Sequence, residues 1–318
     1  MSAPRQPYRG RFAPTPSGPL HFGSLIAALG SYLEARTRGG EWLVRIEDVD
    51  APRVVPGAAD RILRALEAYG FEWDGAVVYQ SRRGEAYRAA VERLRRRGLV
   101  YACSCSRKRL AETARRGIDG PVYPGTCRGR APGHEPAALR LIVPDARVVF
   151  EDALQGRVGC DVARECGDIV LRRADGIHTY QLAVVVDDAE QAITHVVRGA
   201  DLLTSTPRQV VLQRHLGLPT PAYLHLPVAL DAAGEKLSKQ SLAAPLRMEA
   251  PVPALAAALR FLGVPDVGTP GGVAEFWAMA KALWPAVPGS PLRGRRHEGA
   301  APSRIQPAGA HRPSRCNP

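Results

Sequence analysis

The sequence predicts an α/β protein built on a doubly wound parallel sheet, and three stretches carry that expectation. Arg11–Ser24, RFAPTPSGPLHFGS, reads as a strand that ends in a Pro/Gly turn and leads straight into an apolar helical run, LIAALGSYLEAR. Trp42–Asp50, WLVRIEDVD, reads as a buried-type strand ending in acidic residues. Strand, helix and strand at this spacing make one half of a doubly wound sheet, with binding groups at the strand C-terminal ends. A third stretch, HTYQLAVVVDDAEQAITHVVRGADLL, returns to the core sheet, with AVVVDD read as a buried strand flanked by Tyr180 and Arg198.

Taken in order, Met1–Tyr8 reads as a loose leader. After the opening βαβ unit, Ala58–Tyr69 has Ile62, Leu63, Leu66 and Tyr69 on one helical face. A short strand, VVYQS, leads to a helix over Gly84–Arg97 whose exposed face carries Arg88, Arg93, Arg95, Arg96 and Arg97. ALRLIVP, ARVVFEDAL and GDIVLRRADG read as strands, TPRQVVLQRHLG as a helix, and YLHLPVAL as a further strand. Helices are expected over Pro251–Gly263 and Gly272–Leu283. The tail from residue 285 is rich in Pro, Gly, Arg and Ala and is expected to be disordered. The expected division is a first half of the doubly wound domain over 1–100 and an insert over 101–135. A further insertion and the second half of that domain follow over 136–245, then a short helical segment over 246–284.

Composition narrows the class. A chain of 318 residues, 45% hydrophobic, has room for two domains and a sizeable core. Forty-three Lys and Arg against 31 Asp and Glu leave a net charge of +12, which favours a polyanionic partner. No apolar run approaches a membrane span and the N-terminus lacks a signal-peptide core, so a cytoplasmic protein is expected. The six cysteines are not spaced as a secreted disulfide framework; reduced thiols or a metal site fit better.

Two stretches carry phosphate chemistry. A helix beginning at Gly23 and Ser24 offers free N–H groups and a partial positive charge to a phosphate, with His21 placed to donate to a phosphoryl oxygen. Far downstream, EKLSKQ sets Lys236 and Lys239 in a Gly-preceded loop that suits a mobile clamp on a triphosphate. Glu47, at a strand end, can hold a substrate ammonium or merely pair with Arg45 or Arg53. In the insert, Cys103-x-Cys105 and, further on, Tyr123-x-x-x-Cys127 supply three thiolates and a phenol; structural zinc wants four ligands. His134 is the alternative fourth ligand. Arginines through this insert suit RNA-backbone docking.

HFGS and KLSKQ resemble the HIGH and KMSKS signatures of class I aminoacyl-tRNA synthetases. RFAPTPSGPLHFGS, RIEDVD and HVVRGADLLTSTPRQ resemble the glutamyl/glutaminyl branch. Ser24 stands where the second His of HIGH would be, and Gln240 where the last Ser of KMSKS would be. The resemblance implies a Rossmann-like class I synthetase fold, ATP with Mg²⁺ as substrate, and His21, Lys236 and Lys239 in catalysis. It also implies His21, Gly23, Ser24 and Lys239 on ATP. Arg11, Phe12, Ala13, Pro14, Thr15, Glu47, Tyr180 and Arg198 would line a glutamate pocket. Within it Glu47 would take the α-amino group and Arg11 the side-chain carboxylate. Asp187 and Asp188 are expected to shape the pocket edge rather than bind metal.

A full-length enzyme of that branch continues well past its KMSKS loop to read the anticodon, and this sequence ends soon after it. With the CxC…YxxxC insert, it resembles the short paralogues of the branch that lack an anticodon-binding domain. That resemblance implies one structural zinc held by Cys103, Cys105, Tyr123 and Cys127. It implies tRNA-independent glutamate activation, transfer of glutamate to the queuosine base of tRNA(Asp), and a monomer. The competing expectations are a truncated glutamyl-tRNA synthetase charging a CCA end, and a non-catalytic zinc-containing RNA-binding protein.

Overall fold

The structure, a computed structural model, describes residues 7–131, 136–144, 147–229, 244–264 and 268–284. The leader up to residue 6, His134, the loop with Lys236, Lys239 and Gln240, and the tail from 285 lie outside the described residues.

β1 (Arg9–Phe12) runs into α1 (Phe22–Arg36), and β2 (Glu41–Ile46) pairs parallel with β1. α1 is apolar on nearly every side and is buried on nearly every side, which is where such a helix is stable. α2 (Ala58–Ala68) follows, then β3 (Val78–Tyr79), which extends the sheet parallel to β2. α3 (Gly84–Arg96) leads to β4 (Val100–Cys103) and the insert, with α4 (Arg107–Thr113) and a two-residue hairpin, β5 (Arg116–Gly117) and β6 (Gly120–Pro121). β7 (Ala138–Leu141) pairs antiparallel with β4. β8 (Arg147–Asp152) and β9 (Gly156–Asp161) form a hairpin, and α5 (Val162–Glu165) precedes β10 (Ile169–Arg172) beside β7. α6 (Tyr180–Glu190), β11 (His195–Gly199), α7 (Thr206–Leu216) and β12 (Ala222–Leu226) complete the second half, with β11 and β12 parallel. α8 (Pro251–Phe261) and α9 (Val273–Leu283) close the described chain.

The two parallel halves meet at β1 and β11, where Thr194 N–H donates to the Arg9 carbonyl at 3.0 Å. Strand order therefore reverses between β1 and β11, the switch point at which doubly wound sheets hold ligands. Side chains alternate along each strand, and the alternation divides the sheet between two cores. Phe12, Trp42, Val44, Ile46, Val197 and Leu224 face a core shared with α1, α2, α8 and α9. Val196 and Tyr223 face the core of α3, α6 and α7. Their even and odd neighbours follow suit, so Arg11, Arg45, Glu47, Arg198 and His225 share the α6 side. Gly30 of α1 is required by close approach: a Cβ there would lie 2.5 Å from Leu226 Cδ1.

Two expectations need correction, and one strand was not anticipated. AVVVDD is part of α6 and not a strand. Leu182–Val186 are all buried between helices, and a continuous apolar run reads the same whether it is a buried strand or a buried helix. Tyr8 is not part of a loose leader: it is 7% exposed and stacks on His195 with centroids 4.0 Å apart. β9 was not expected, because its two glycines mask the alternation of Val158 and Cys160. The Phe12 side chain turns into the core against Trp42 (6.2 Å, 9° between planes).

Candidate active site and metal centre

The opening turn fixes both sides of a cleft at the strand C-terminal ends. Glu47 N–H donates to the Pro14 carbonyl at 3.0 Å, tying the turn to the end of β2, while Ser17 N–H bonds the Thr15 carbonyl. Ala13, Pro14 and Thr15 are half-buried along this edge. His21 precedes α1 in extended conformation, and Gly23 and Ser24 lie in the first turn with no acidic side chain beside them. The first-turn N–H groups point out of the helix end as donors.

The segment that resumes after the second signature meets the first through the backbone. Leu246 N–H donates to the Leu20 carbonyl at 2.9 Å, and His21 bridges Pro245. The chain that leaves the KLSKQ loop thus lands beside the start of α1.

Deeper in the cleft, buried charge is organised by α6. Asp188 accepts from Arg11 Nε and Nη2 at 3.0 and 3.2 Å and from Arg45 Nη2 at 2.8 Å. Burial alone would push its carboxyl up; Arg11 and Arg45 outweigh that and hold it below the usual aspartate value. Asp187 is fully buried and accepts from Gln80 Nε2 and Tyr87 Oη, both at 2.8 Å, and from Arg83 Nε at 2.5 Å. Both aspartates are taken up by arginines, consistent with an edge-shaping rather than metal-binding part. Arg45 also reaches Gln191 Oε1 at 2.6 Å and Glu47 Oε1 at 3.4 Å. Glu47 is 7% exposed, and burial pushes it up to about 7 against the pull of Arg45 and Arg11.

Arg198 is held differently. Its Nε donates to His225 Nε2 at 3.1 Å, Nη1 to Tyr180 Oη at 3.2 Å, and Nη2 to Thr206 Oγ1 at 2.9 Å and Gln209 Oε1 at 2.8 Å. Tyr180 has its phenol pushed up by burial and feels Arg198, Glu47, Arg11 and Asp188. These residues therefore share one electrostatic neighbourhood. Asp152, Thr206, Gln209 and His225 were not singled out in the sequence, and Arg45 was named only as an alternative partner of Glu47. The one legible signal was a lone arginine or histidine inside apolar strand text, WLVRI and YLHLPV.

A second site lies in the insert. The sulfurs of Cys103, Cys105 and Cys127 lie within 4.8 Å of one another, the one such cluster among the described residues. Cys105 Sγ is 3.6 Å from Cys127 Sγ and 3.8 Å from Tyr123 Oη. Tyr123 is 5% exposed, with the Arg140 guanidinium 3.9 Å over its ring. It pairs with Gly167, where a Cβ would lie 2.7 Å from Tyr123 N. Burial pushes the Cys127 thiol up, but hydrogen bonds from Tyr123 and the Ser104 backbone outweigh it and bring it to about 7. Three convergent sulfurs and a phenol fit a tetrahedral zinc donor set.

A helix N-terminus at the switch point of a doubly wound sheet is the place where such folds bind phosphate groups. A family model described as "tRNA synthetases class I (E and Q), catalytic domain" matches residues 8–263. The solved glutamate tRNA ligase of Elizabethkingia meningosepticum, in complex with its amino acid, superposes with a TM-score of 0.64 at 31% identity. That match covers 74% of this chain and 52% of the ligase. A relative from Dechloromonas aromatica named glutamyl-Q tRNA(Asp) synthetase is 60% identical, covering 87% of this chain and 94% of the relative. One of the same name from Chromobacterium violaceum is 58% identical over 90% and 97% of the two chains. The chain belongs to the glutamyl-Q tRNA(Asp) synthetase family, within the class I synthetases of E and Q type.

Proposed function

We propose that this chain activates L-glutamate with ATP, without needing tRNA, and transfers the glutamyl group to queuosine in the anticodon of tRNA(Asp). The observation that supports the reading is that Arg198, Tyr180, Glu47 and Arg11 gather on the α6 side of the sheet, with Arg198 donating to Tyr180, in a chain whose relatives bear that name. Glu47 takes the substrate ammonium; Arg198 and Tyr180 take the side-chain carboxylate in place of the Arg11 expected from the sequence, whose guanidinium is paired with Asp188. A guanidinium fork matches a carboxylate and leaves an uncharged glutamine poorly paired.

The α-carboxylate then attacks the α-phosphorus of ATP and pyrophosphate departs, a step that needs positioning and charge stabilisation more than a protein nucleophile. His21 and the Gly23–Ser24 helix start hold the nucleotide, with Lys239 as the principal cation and Lys236 assisting. Mg²⁺ on the phosphates supplies further charge neutralisation. A hydroxyl of the queuosine ring next attacks the mixed anhydride and releases AMP.

Cys103, Cys105, Cys127 and Tyr123 would hold one zinc ion, which staples a basic insert suited to an RNA backbone. Tyr123 is favoured as the fourth ligand because its phenol already stands among the sulfurs. No described helix is long and apolar enough to cross a membrane, and a monomer acting in the cytoplasm is proposed.

The test is transfer of labelled glutamate to purified tRNA(Asp) with and without queuosine, its terminal ribose destroyed by periodate before charging. The expected result is labelling that requires queuosine and maps to the anticodon loop. Label on the CCA end of tRNA(Glu) instead would overturn the reading.

A further inference from the structure

Arg198 is 5% exposed, yet no carboxylate touches it among the described residues. Its partners are a phenol, a hydroxyl, a side-chain amide and an imidazole nitrogen, all neutral acceptors. Four of the five N–H groups of a guanidinium are thereby occupied, and one on Nη1 remains for a ligand. Arg11, by contrast, is already paired with Asp188.

The imidazole is the conditional member of that set. His225 Nε2 accepts from Arg198 Nε only while Nε2 carries no proton. Asp152 Oδ2 lies 2.6 Å from His225 Nδ1, which holds the ring proton on Nδ1 and leaves Nε2 as an acceptor. Asp152 is itself oriented: Oδ1 accepts from Leu154 N at 3.0 Å and Gln155 N at 2.8 Å. Both side chains are fully buried. Burial and the Arg198 charge disfavour an imidazolium, although Asp152 and Asp201 pull the other way.

We propose that Asp152 and His225 are positioning residues that fix the imidazole tautomer, hold Arg198 as an unneutralised cation aimed into the pocket, and so set the preference for glutamate over glutamine. The inference rests on the glutamate-activating reading above. Neither residue touches the substrate; both act through Arg198.

Asp152→Asn is the discriminating variant. The Leu154 and Gln155 amides keep the Asn oxygen on their side, so its NH₂ must face His225 Nδ1. The ring proton then moves to Nε2, and Arg198 Nε–H meets a donor, the same wrong-tautomer logic known for serine-protease triads.

The experiment combines ring ¹⁵N chemical shifts of His225, calorimetric binding of L-glutamate, and ATP–pyrophosphate exchange with glutamate and glutamine. The expected result is a shift of the proton from Nδ1 to Nε2 in Asp152→Asn. Glutamate Kd and KM should rise about tenfold or more, the cost of leaving a buried donor unpaired, with a matching fall in glutamate/glutamine preference and little change in kcat. Second, Asp152→Ala removes the tautomer lock without imposing a donor, and should raise KM less than Asp152→Asn does. A moved proton with unchanged Kd and preference overturns the inference while leaving the function intact. Wild-type protein that binds no glutamate overturns the proposed function, and the inference with it.

Discussion

Arg11 and Asp188 face each other across the switch point, 177 positions apart in the chain, with Nε and Nη2 donating to the two carboxylate oxygens. Asp188 also holds Arg45, so one carboxylate on α6 serves two buried guanidinium groups from β1 and β2. Removing it leaves two buried cations short of a partner. Asp188→Asn should lower the unfolding free energy by about 3 kcal/mol, the cost of breaking a buried pair from one side. Urea unfolding measures it. Because the folded pKa of Asp188 lies below its ordinary 3.8, its contribution is present above that pH and lost as pH falls below it. The difference between wild type and variant should therefore shrink in acid.

Glu47 titrates in the opposite sense. Its carboxyl is raised to about 7, so near neutral pH it is only partly ionised before substrate arrives. Only the ionised form attracts an ammonium, and glutamate itself changes charge little between pH 6 and 8. KM for glutamate should fall as pH rises through about 7, and Glu47→Gln should raise KM and flatten that dependence. Initial rates of exchange across the range test it. Ionising this buried group costs stability as pH rises from its ordinary 4.5 towards about 7, opposite in sign to Asp188.

Arg198→Lys keeps the charge but loses the planar fork held at four points. The expected outcome is a KM for glutamate raised by roughly ten- to a hundredfold and a smaller penalty for glutamine. Parallel exchange assays with both amino acids measure the ratio. Unchanged discrimination would move carboxylate recognition elsewhere.

For the nucleotide, His21→Ala and Lys239→Ala should each cut glutamate-dependent exchange by about a hundredfold, as loss of a transition-state contact does. Unchanged exchange in both would remove the catalytic assignment. Circular dichroism on the same samples separates lost chemistry from lost fold.

For the metal, protein expressed with zinc should carry about one equivalent, as a single closed site requires. Cys127→Ser should lose it, and Tyr123→Phe should weaken retention against a chelator while His134→Ala should not. Elemental analysis after dialysis measures all three. Retention in Tyr123→Phe with loss in His134→Ala would reassign the fourth ligand.

What the sequence made legible was whatever is written locally. The β1 turn and α1 were readable from Phe12 to Leu33, because Pro, Gly and helical apolar spacing sit side by side. The cysteine cluster was readable because its members fall within 25 positions, Cys103 to Cys127. α6 was misread because Leu182–Val186 is apolar on every side, and β-branched valines favour strands only where a sheet is available to receive them. The pairing behind Arg198 was not legible, although His225 stood out as a lone histidine in apolar text. Asp152 and His225 lie 73 positions apart and meet because β8 and β12 are neighbours, which no local pattern announces. Tyr8 is a smaller case: nothing in its own text tells that His195 waits to stack on it.

The helices after the cleft set a practical boundary for anyone trimming this protein. Trp284, the last described residue, is 4% exposed, and its indole N–H donates at 2.9 Å to Glu34 Oε1 on α1. Trp277 donates likewise to the Tyr69 carbonyl at 3.0 Å, and its ring leans on Tyr32 and Phe71. A deletion that stops at residue 245 would keep every described strand of the sheet and still strip the outer wall from α1, the helix proposed to seat ATP. Such a cut should give insoluble material, whereas an affinity tag joined after position 284 leaves that wall in place.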